Sequence, residues 1–345
     1  MNLANNAYPI SEHQFASARH TSAYLACGRV GAPLVIFIHG WPELGLLWRQ
    51  QLVAMAGLGF RAVAPDMRGY GNSSIYLNHA DYALEHSVTD MLELLDHLGG
   101  EQAIWVGHDW GSPVAWAMAS HHPQRCHGVA NLCVPYLKEG FTLGNMLPLV
   151  DRGLYPQERF PFGQWDYQQF YQEQFEQATA SLDANVSDTV RALFRKSDPA
   201  HQGKPSRLAY TRSHGGWFGG TGKAPAVPLD TDVLSEHDHA MLNEALQRNG
   251  FIGPNAWYMN HERNGEYAMR AFNAGKLTLP VLFFHATLDF TCETVQSRLA
   301  EPMRADCSDL TAVAVPCGHW MAQEQPIAVN AGLAKWLAGK FPQLW

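Results

Sequence analysis

The chain lacks the features that carry a protein across a membrane or onto a polyanion. No apolar run approaches the ~20 residues of a membrane-spanning helix. The stretch from Met1 to Ser11 is polar, without the charged-then-apolar order of a signal peptide, so none is expected. Charged residues make up only 16% of the 345, and 24 Lys+Arg against 32 Asp+Glu leave a formal charge of -8. No basic stripe offsets that balance, which argues against nucleic acid or an anionic membrane as a principal partner. Six cysteines (Cys27, Cys126, Cys133, Cys292, Cys307, Cys317) are scattered, with no C-x-x-C pair. They read as free thiols in a reducing compartment, from which a cytoplasmic address follows. Internal repeats and coiled-coil heptads are also missing.

What is present is an ordinary globular composition, 46% hydrophobic, long enough for one large α/β domain with an insertion. His13 to Cys27 alternates loosely, as one or two antiparallel strands do. Pro33 to Ile38 and Phe60 to Ala64 are continuous apolar runs, typical of strands covered on both faces. Helices are expected over Leu44 to Gly57 and Leu84 to Leu98, the second with Val88, Leu92 and Leu95 in a helical stripe. A strand over Ala103 to Val106 leads to an Ala-rich helix, Ser112 to Ser120, and then a strand over Gly128 to Val134. His121 and His122 close that helix, where a positive charge would suit the carbonyl end.

This alternation predicts a mostly parallel, doubly covered sheet. It breaks at Pro135. To about Lys276 the chain is rich in aromatics, Gln and Pro and reads as helical. A strand over Pro280 to His285, a helix near Glu293 to Arg304, a strand over Leu310 to Val315 and a helix over Pro326 to Leu337 resume the pattern. The expected division is a sheet core, residues 1–135 and 276–345, interrupted by a helical cap, residues 136–275.

The pentapeptide Gly107-His108-Asp109-Trp110-Gly111 stands between a strand and a helix. It has the small-x-nucleophile-x-small form of a nucleophile elbow, with Asp109 where serine is usual. The alternative is that Asp109 merely caps the helix. A nucleophile needs a base and a group that orients the base, in the chain order nucleophile, acid, histidine. Asp289 follows the Val281–His285 strand and His319 follows the last strand, in Pro316-Cys317-Gly318-His319-Trp320. The stretch after the elbow helix, Asn131 to Pro135, holds no carboxylate, which favours Asp289 as the acid. In His39-Gly40-Trp41-Pro42, the Trp41 N–H is placed to join that of Trp110 in an oxyanion hole.

These three motifs, together with Asp66-Met67-Arg68-Gly69-Tyr70-Gly71, resemble those of epoxide hydrolases of the α/β-hydrolase fold, over nearly the whole chain from about Pro33. The resemblance implies two cap tyrosines that hydrogen-bond the epoxide oxygen. Asp166-Tyr167-Gln168 is similar to the surroundings of the first, although Tyr171 lies one helical turn on, and Gly250 to Tyr258 points to Tyr258 as the second.

The residue types suit that chemistry. A carboxylate attacking an ester carbonyl would form a mixed anhydride, so an Asp nucleophile fits displacement at an sp³ carbon. Opening an epoxide in this way leaves an alkoxide, to which a tyrosine with pKa near ~10 can give a proton. His319 then activates water to cleave the Asp109 ester, the product is a vicinal diol, and no metal or organic cofactor is required. Haloalkane dehalogenases share the fold and the Asp nucleophile, and a non-catalytic binding protein on the same fold is a third reading. The only partner implied is a small epoxide, and a homo-oligomer stays open.

Three weaker signals remain. Glu236-His237-Asp238-His239 resembles a metal cluster, but Ser235 with Asp238 reads as a capping box. The run Gly215 to Lys223 ends like a phosphate loop, yet Trp217 and Ala224 stand where Gly and Ser/Thr are needed, so it reads as a cap loop. Phe160, Phe162, Trp165, Phe170, Trp217 and Phe218 read as an apolar tunnel wall or as cap core.

Overall fold

The apolar runs form strands β1 (Ser11–Ala16), β2 (Thr21–Cys27), β3 (Leu34–Ile38), β4 (Arg61–Pro65), β5 (Ala103–His108), β6 (Cys126–Leu132), β7 (Leu277–Ala286) and β8 (Cys307–Val315) in the computed structural model. It describes residues 8–345, so most of the polar amino-terminal stretch lies outside the described residues. One sheet results, in the order β1-β2-β4-β3-β5-β6-β7-β8. The pairs β1/β2 and β2/β4 are antiparallel and every later pair is parallel. Every residue of β3 and β5 is buried, as the unbroken apolar runs require of central parallel strands.

Three helices alternate with the early strands: α1 (Arg49–Gly57), α2 (Leu84–His97) and α3 (Gly111–His121). Helix α3 packs on β5 and β6, and α1 on β4 and the terminal helix Pro326–Lys340. The surroundings of the histidines at the end of α3 disfavour the charge that would suit that position. Burial lowers the pKa of both His121 and His122, and the His121 ring stacks on Tyr267 at 3.9 Å while its Nε2 bonds the Tyr267 carbonyl at 2.9 Å.

Other boundaries move for local reasons. Strand β6 stops at Leu132 because Cys133 turns to φ 67, which takes Val134 out of the ladder. Strand β7 starts at Leu277, and Pro280 is accommodated where the pairing with β8 is irregular. The helix expected from Glu293 is absent over its first half. There the N–H groups of Val295, Gln296 and Ser297 donate to the Glu293 carboxylate at 2.7, 2.8 and 2.5 Å, and the helix runs only over Glu301–Asp306.

Between Leu132 and Leu277 the described residues form helices and turns but no strand. The longest helical segments are Asp166–Asp183, kinked at Gln174 where φ is -141 and ψ 47, and Glu236–Asn249. This insertion meets the sheet at the carboxyl ends of the parallel strands, where tryptophan indoles stitch the two together. Trp41 Nε1 donates to Asn255 Oδ1 at 3.0 Å, Trp320 Nε1 to the Leu193 carbonyl at 3.0 Å and Trp257 Nε1 to the Arg68 carbonyl at 3.2 Å. All six cysteines are free and buried, and among the described residues no helix is long and apolar enough to cross a membrane.

Candidate active site

Asp109 stands on the sharp turn between β5 and α3, at φ 47, a conformation that costs a non-glycine residue of order ~1–3 kcal/mol. The glycines beside it leave no space for side chains. A Cβ on Gly107 would lie 2.5 Å from Asn131 Oδ1 and the Gly111 carbonyl, and one on Gly111 would lie 2.0 Å from the Ile38 carbonyl. The carboxylate does not cap α3. Its Oδ1 accepts the Trp41 N–H at 2.6 Å, and its Oδ2 lies 3.5 Å from His319 Nε2.

Asp289, just past β7, is buried, with 2% of its surface exposed. Its Oδ1 accepts the N–H groups of Thr291 and Cys292 at 3.0 and 2.9 Å, and its Oδ2 accepts His319 Nδ1 at 2.7 Å. Burial would raise both carboxyls, but His319 and the backbone donors hold Asp109 and Asp289 below the usual carboxylate range. Burial would likewise lower His319, yet the charges of Asp289 and Asp109 push it well above the usual histidine range. The three groups form an imidazolium between two carboxylates.

Behind them lies a pair that sequence reasoning missed. The buried Glu43 Oε2 accepts the Gly40 N–H at 3.0 Å and sits 2.8 Å from His108 Nδ1, while His108 Nε2 donates to the His319 carbonyl at 2.8 Å. A ring held between two acceptors anchors the His319 backbone from below. The available signal was an acid directly after His39-Gly40-Trp41-Pro42, in a loop whose other groups are all accounted for. His39 itself is neutral: its Nε2 accepts the Met67 N–H at 2.9 Å and its Nδ1 donates to the Gly40 carbonyl, also at 2.9 Å.

The opposite wall comes from the insertion. Tyr167 and Tyr258 line the same cavity as Trp41, Asp109, Asp289 and His319, and their rings meet edge to face at 5.7 Å. Gln168 Nε2 donates to the Tyr167 hydroxyl at 3.0 Å, and Gln172 Nε2 to the Tyr258 carbonyl at 2.5 Å. Burial foremost, followed by neighbouring groups that include the Asp109 carboxylate, pushes both phenols well above their usual pKa. Tyr171 is fully buried and stacks on Tyr258 at 4.7 Å without lining the cavity. The Trp110 ring packs edge-on against Tyr258 at 5.2 Å.

The cavity measures about 1100 Å³. Of the six aromatics named from sequence, only Trp217 and Phe218 line it, while Phe160, Trp165 and Phe170 are buried in the core. Trp217, in the glycine-rich run, stacks on Trp41 at 5.3 Å. The acidic-histidine tetrapeptide opens a helix, with Ser235 and Asp238 in a capping box and Asp238 also paired to Arg49.

The profile of the alpha/beta hydrolase fold family matches residues 33–326, and the chain belongs to that family. Within it, the chain belongs with the epoxide hydrolases. It is 32% identical to epoxide hydrolase A of Mycobacterium tuberculosis over 90% of this chain and 92% of that protein. It is also 32% identical to bifunctional epoxide hydrolase 2 of Sus scrofa over 88% of this chain and 51% of that protein. It therefore spans about half the length of such bifunctional relatives. The crystal structure of epoxide hydrolase A from Mycobacterium thermoresistibile has a TM-score of 0.77 at 30% identity, covering 96% of this chain and 99% of that one.

Proposed function

We propose that this chain hydrolyses epoxides to vicinal diols through an alkyl ester on Asp109, with residues 136–275 acting as the cap that closes the site. One observation carries the reading: a carboxylate on a strained turn faces an imidazole on one side and two protonated phenols across a cavity. In the first step a carboxylate oxygen of Asp109 attacks an epoxide carbon and the C–O bond breaks. The alkoxide takes a proton from Tyr167 or Tyr258.

Alkylation removes one of the two negative charges that hold the His319 proton. The imidazolium then becomes a stronger acid, and the proton it sheds balances the one the phenol gave up. As a neutral base oriented by Asp289, His319 takes a proton from water, which attacks the ester carbonyl. Collapse of the oxyanion so formed breaks the C–O bond to the substrate, and the departing diol oxygen takes the proton of the new carboxyl group, restoring the Asp109 carboxylate and the His319 imidazolium. The Trp41 N–H, already on Asp109 Oδ1, and the Trp110 N–H, which makes no hydrogen bond among the described residues, are the donors for the resulting oxyanion. The reaction so written draws on no metal or organic cofactor. Epoxide hydrolysis in the relatives' names supports this reading, and the buried free thiols support a cytoplasmic address.

A single turnover in heavy-oxygen water tests the ester. Label should appear in the peptide that carries Asp109 and pass to the diol only in later turnovers. Label in the diol of the first turnover with none in that peptide would mean that water struck the ring directly. Bromide released from a bromoalkane, with no diol from styrene oxide, would move the chain to the dehalogenases.

A further inference from the structure

We infer that the epoxides this chain takes carry an anionic group at the end away from the ring, bound by a cationic rim at the cavity mouth. This inference rests on the reading of the site as an epoxide hydrolase and adds the chemical class of the substrate. Across the chain acids outnumber bases, 32 to 24. At the cavity the ratio inverts. Arg195, Lys196, Lys204, Arg207 and Lys223 all line it, and apart from Asp109 and Asp289 the single acid among the lining residues is Asp198. Asp198 is engaged in its own turn, where it accepts the Ala200 N–H at 2.9 Å.

Two of the five cations have acidic partners: Arg195 lies 3.9 Å from Asp230 and Lys196 lies 3.3 Å from Asp232. Lys204, Arg207 and Lys223 are exposed, and among the described residues none has an acidic group within 4.0 Å. They arrive from two separate segments, the turn around Arg207–Tyr210 and the end of the glycine-rich run, which is why no basic stripe appears in the sequence. Surface cations without partners are ordinary singly. Three of them converging on a cleft in an acidic protein are a directed field.

The lining also includes apolar side chains that are less exposed than these cations: Trp41, Leu193, Leu208, Trp217, Phe218 and Val227. At the floor, two carboxylates and one imidazolium sum to one negative charge. An epoxide with an apolar body and an anionic tail is therefore drawn to the mouth, while the floor repels its tail, so the ring leads and the anion stays among the cations. Because the cations are solvated, the effect falls on capture, seen in kcat/KM, more than on kcat, and it is screened over a Debye length of roughly 8 Å at physiological salt.

The test compares terminal epoxy acids of rising length, 5,6-epoxyhexanoate, 10,11-epoxyundecanoate and 15,16-epoxyhexadecanoate, with their methyl esters. At low salt, kcat/KM for the acid should exceed that for its ester by about tenfold for at least one length. The ratio should fall toward about one as salt approaches ~1 M. In a Lys204→Gln, Arg207→Gln, Lys223→Gln triple variant it should be about one at every salt concentration. If that variant fails to fold, the salt titration of the unmodified protein decides the matter by itself. Equal or poorer use of the acids at every length and salt, with diol still made from the esters, would overturn the rim and leave the epoxide reading standing. A salt-sensitive acid preference that survives in the triple variant would overturn the assignment to these three residues. No diol from acid or ester would overturn both readings.

Discussion

The two walls of the cavity are built on opposite principles. The sheet wall concentrates charge and fixes it with backbone: Asp109 by the Trp41 N–H, Asp289 by the Thr291 and Cys292 N–H groups, and His319 through its own carbonyl on His108. The wall from the insertion carries neutral phenols at the reacting centre, held by ring packing and by side-chain amides of Gln168 and Gln172. In the proposed mechanism the sheet wall makes and cleaves the ester, and the helical wall settles the proton on the departing oxygen.

Substitutions on the two sides should therefore fail differently. The largest loss is expected for Asp109→Asn, which should drop steady turnover by about 10⁴-fold or more in freshly made protein. Undiminished diol formation would remove the nucleophile from the sheet wall. His319→Gln should keep the first step and slow the second by about 10³-fold, so intact-mass measurement should find protein heavier by one substrate. Finding only the unmodified mass would place His319 outside ester hydrolysis.

On the other wall, Tyr167→Phe or Tyr258→Phe should each slow alkylation by about 10²-fold while leaving ester hydrolysis nearly unchanged in single-turnover experiments. Equal slowing of both steps would reduce the phenols to packing and erase the contrast. The smallest effect is a shift in titration. In Asp289→Asn, burial is opposed by one anion fewer, so the His319 pKa should fall, which NMR of the imidazole C–H can follow. The sign for stability follows from linkage. The raised His319 pKa contributes stability that is full below its unfolded value near ~6.5 and is lost as pH rises through the folded value. The lowered Asp289 pKa contributes above its unfolded value near ~3.9 and is lost as pH falls through the folded one. The stability gap between wild type and Asp289→Asn should therefore be widest between those limits and narrow on either side. A gap independent of pH would mean that the pair is not an ion pair.

The sheet wall was the more legible of the two. Strand-turn-helix geometry leaves a local mark, because the clashes that forbid side chains at Gly107 and Gly111 dictate glycines at fixed spacing. The positions of Asp289 and His319 follow from counting strands. Glu43 and His108 escaped notice because what they touch, the Gly40 amide and the His319 carbonyl, is backbone brought together only by folding. The insertion has no repeating alternation, so its tyrosines came from resemblance, and which aromatics face the cavity was not readable. Phe170 and Trp217 look alike in sequence, yet only the second lines the cavity. The cationic rim was hidden for the same reason, since its members come from separate segments.

The Asn255 side chain, fully buried, accepts from Trp41 on the sheet side and donates to Thr179 Oγ1 inside the insertion at 3.0 Å. Separating the insertion from the sheet would exchange the Trp41–Asn255 bond for bonds to water, at about 0.5–1.5 kcal/mol, and would wet the apolar rings packed around it. One amide thus fastens the insertion to the turn that presents the Trp41 N–H to Asp109, so loosening either stretch removes a support from the other.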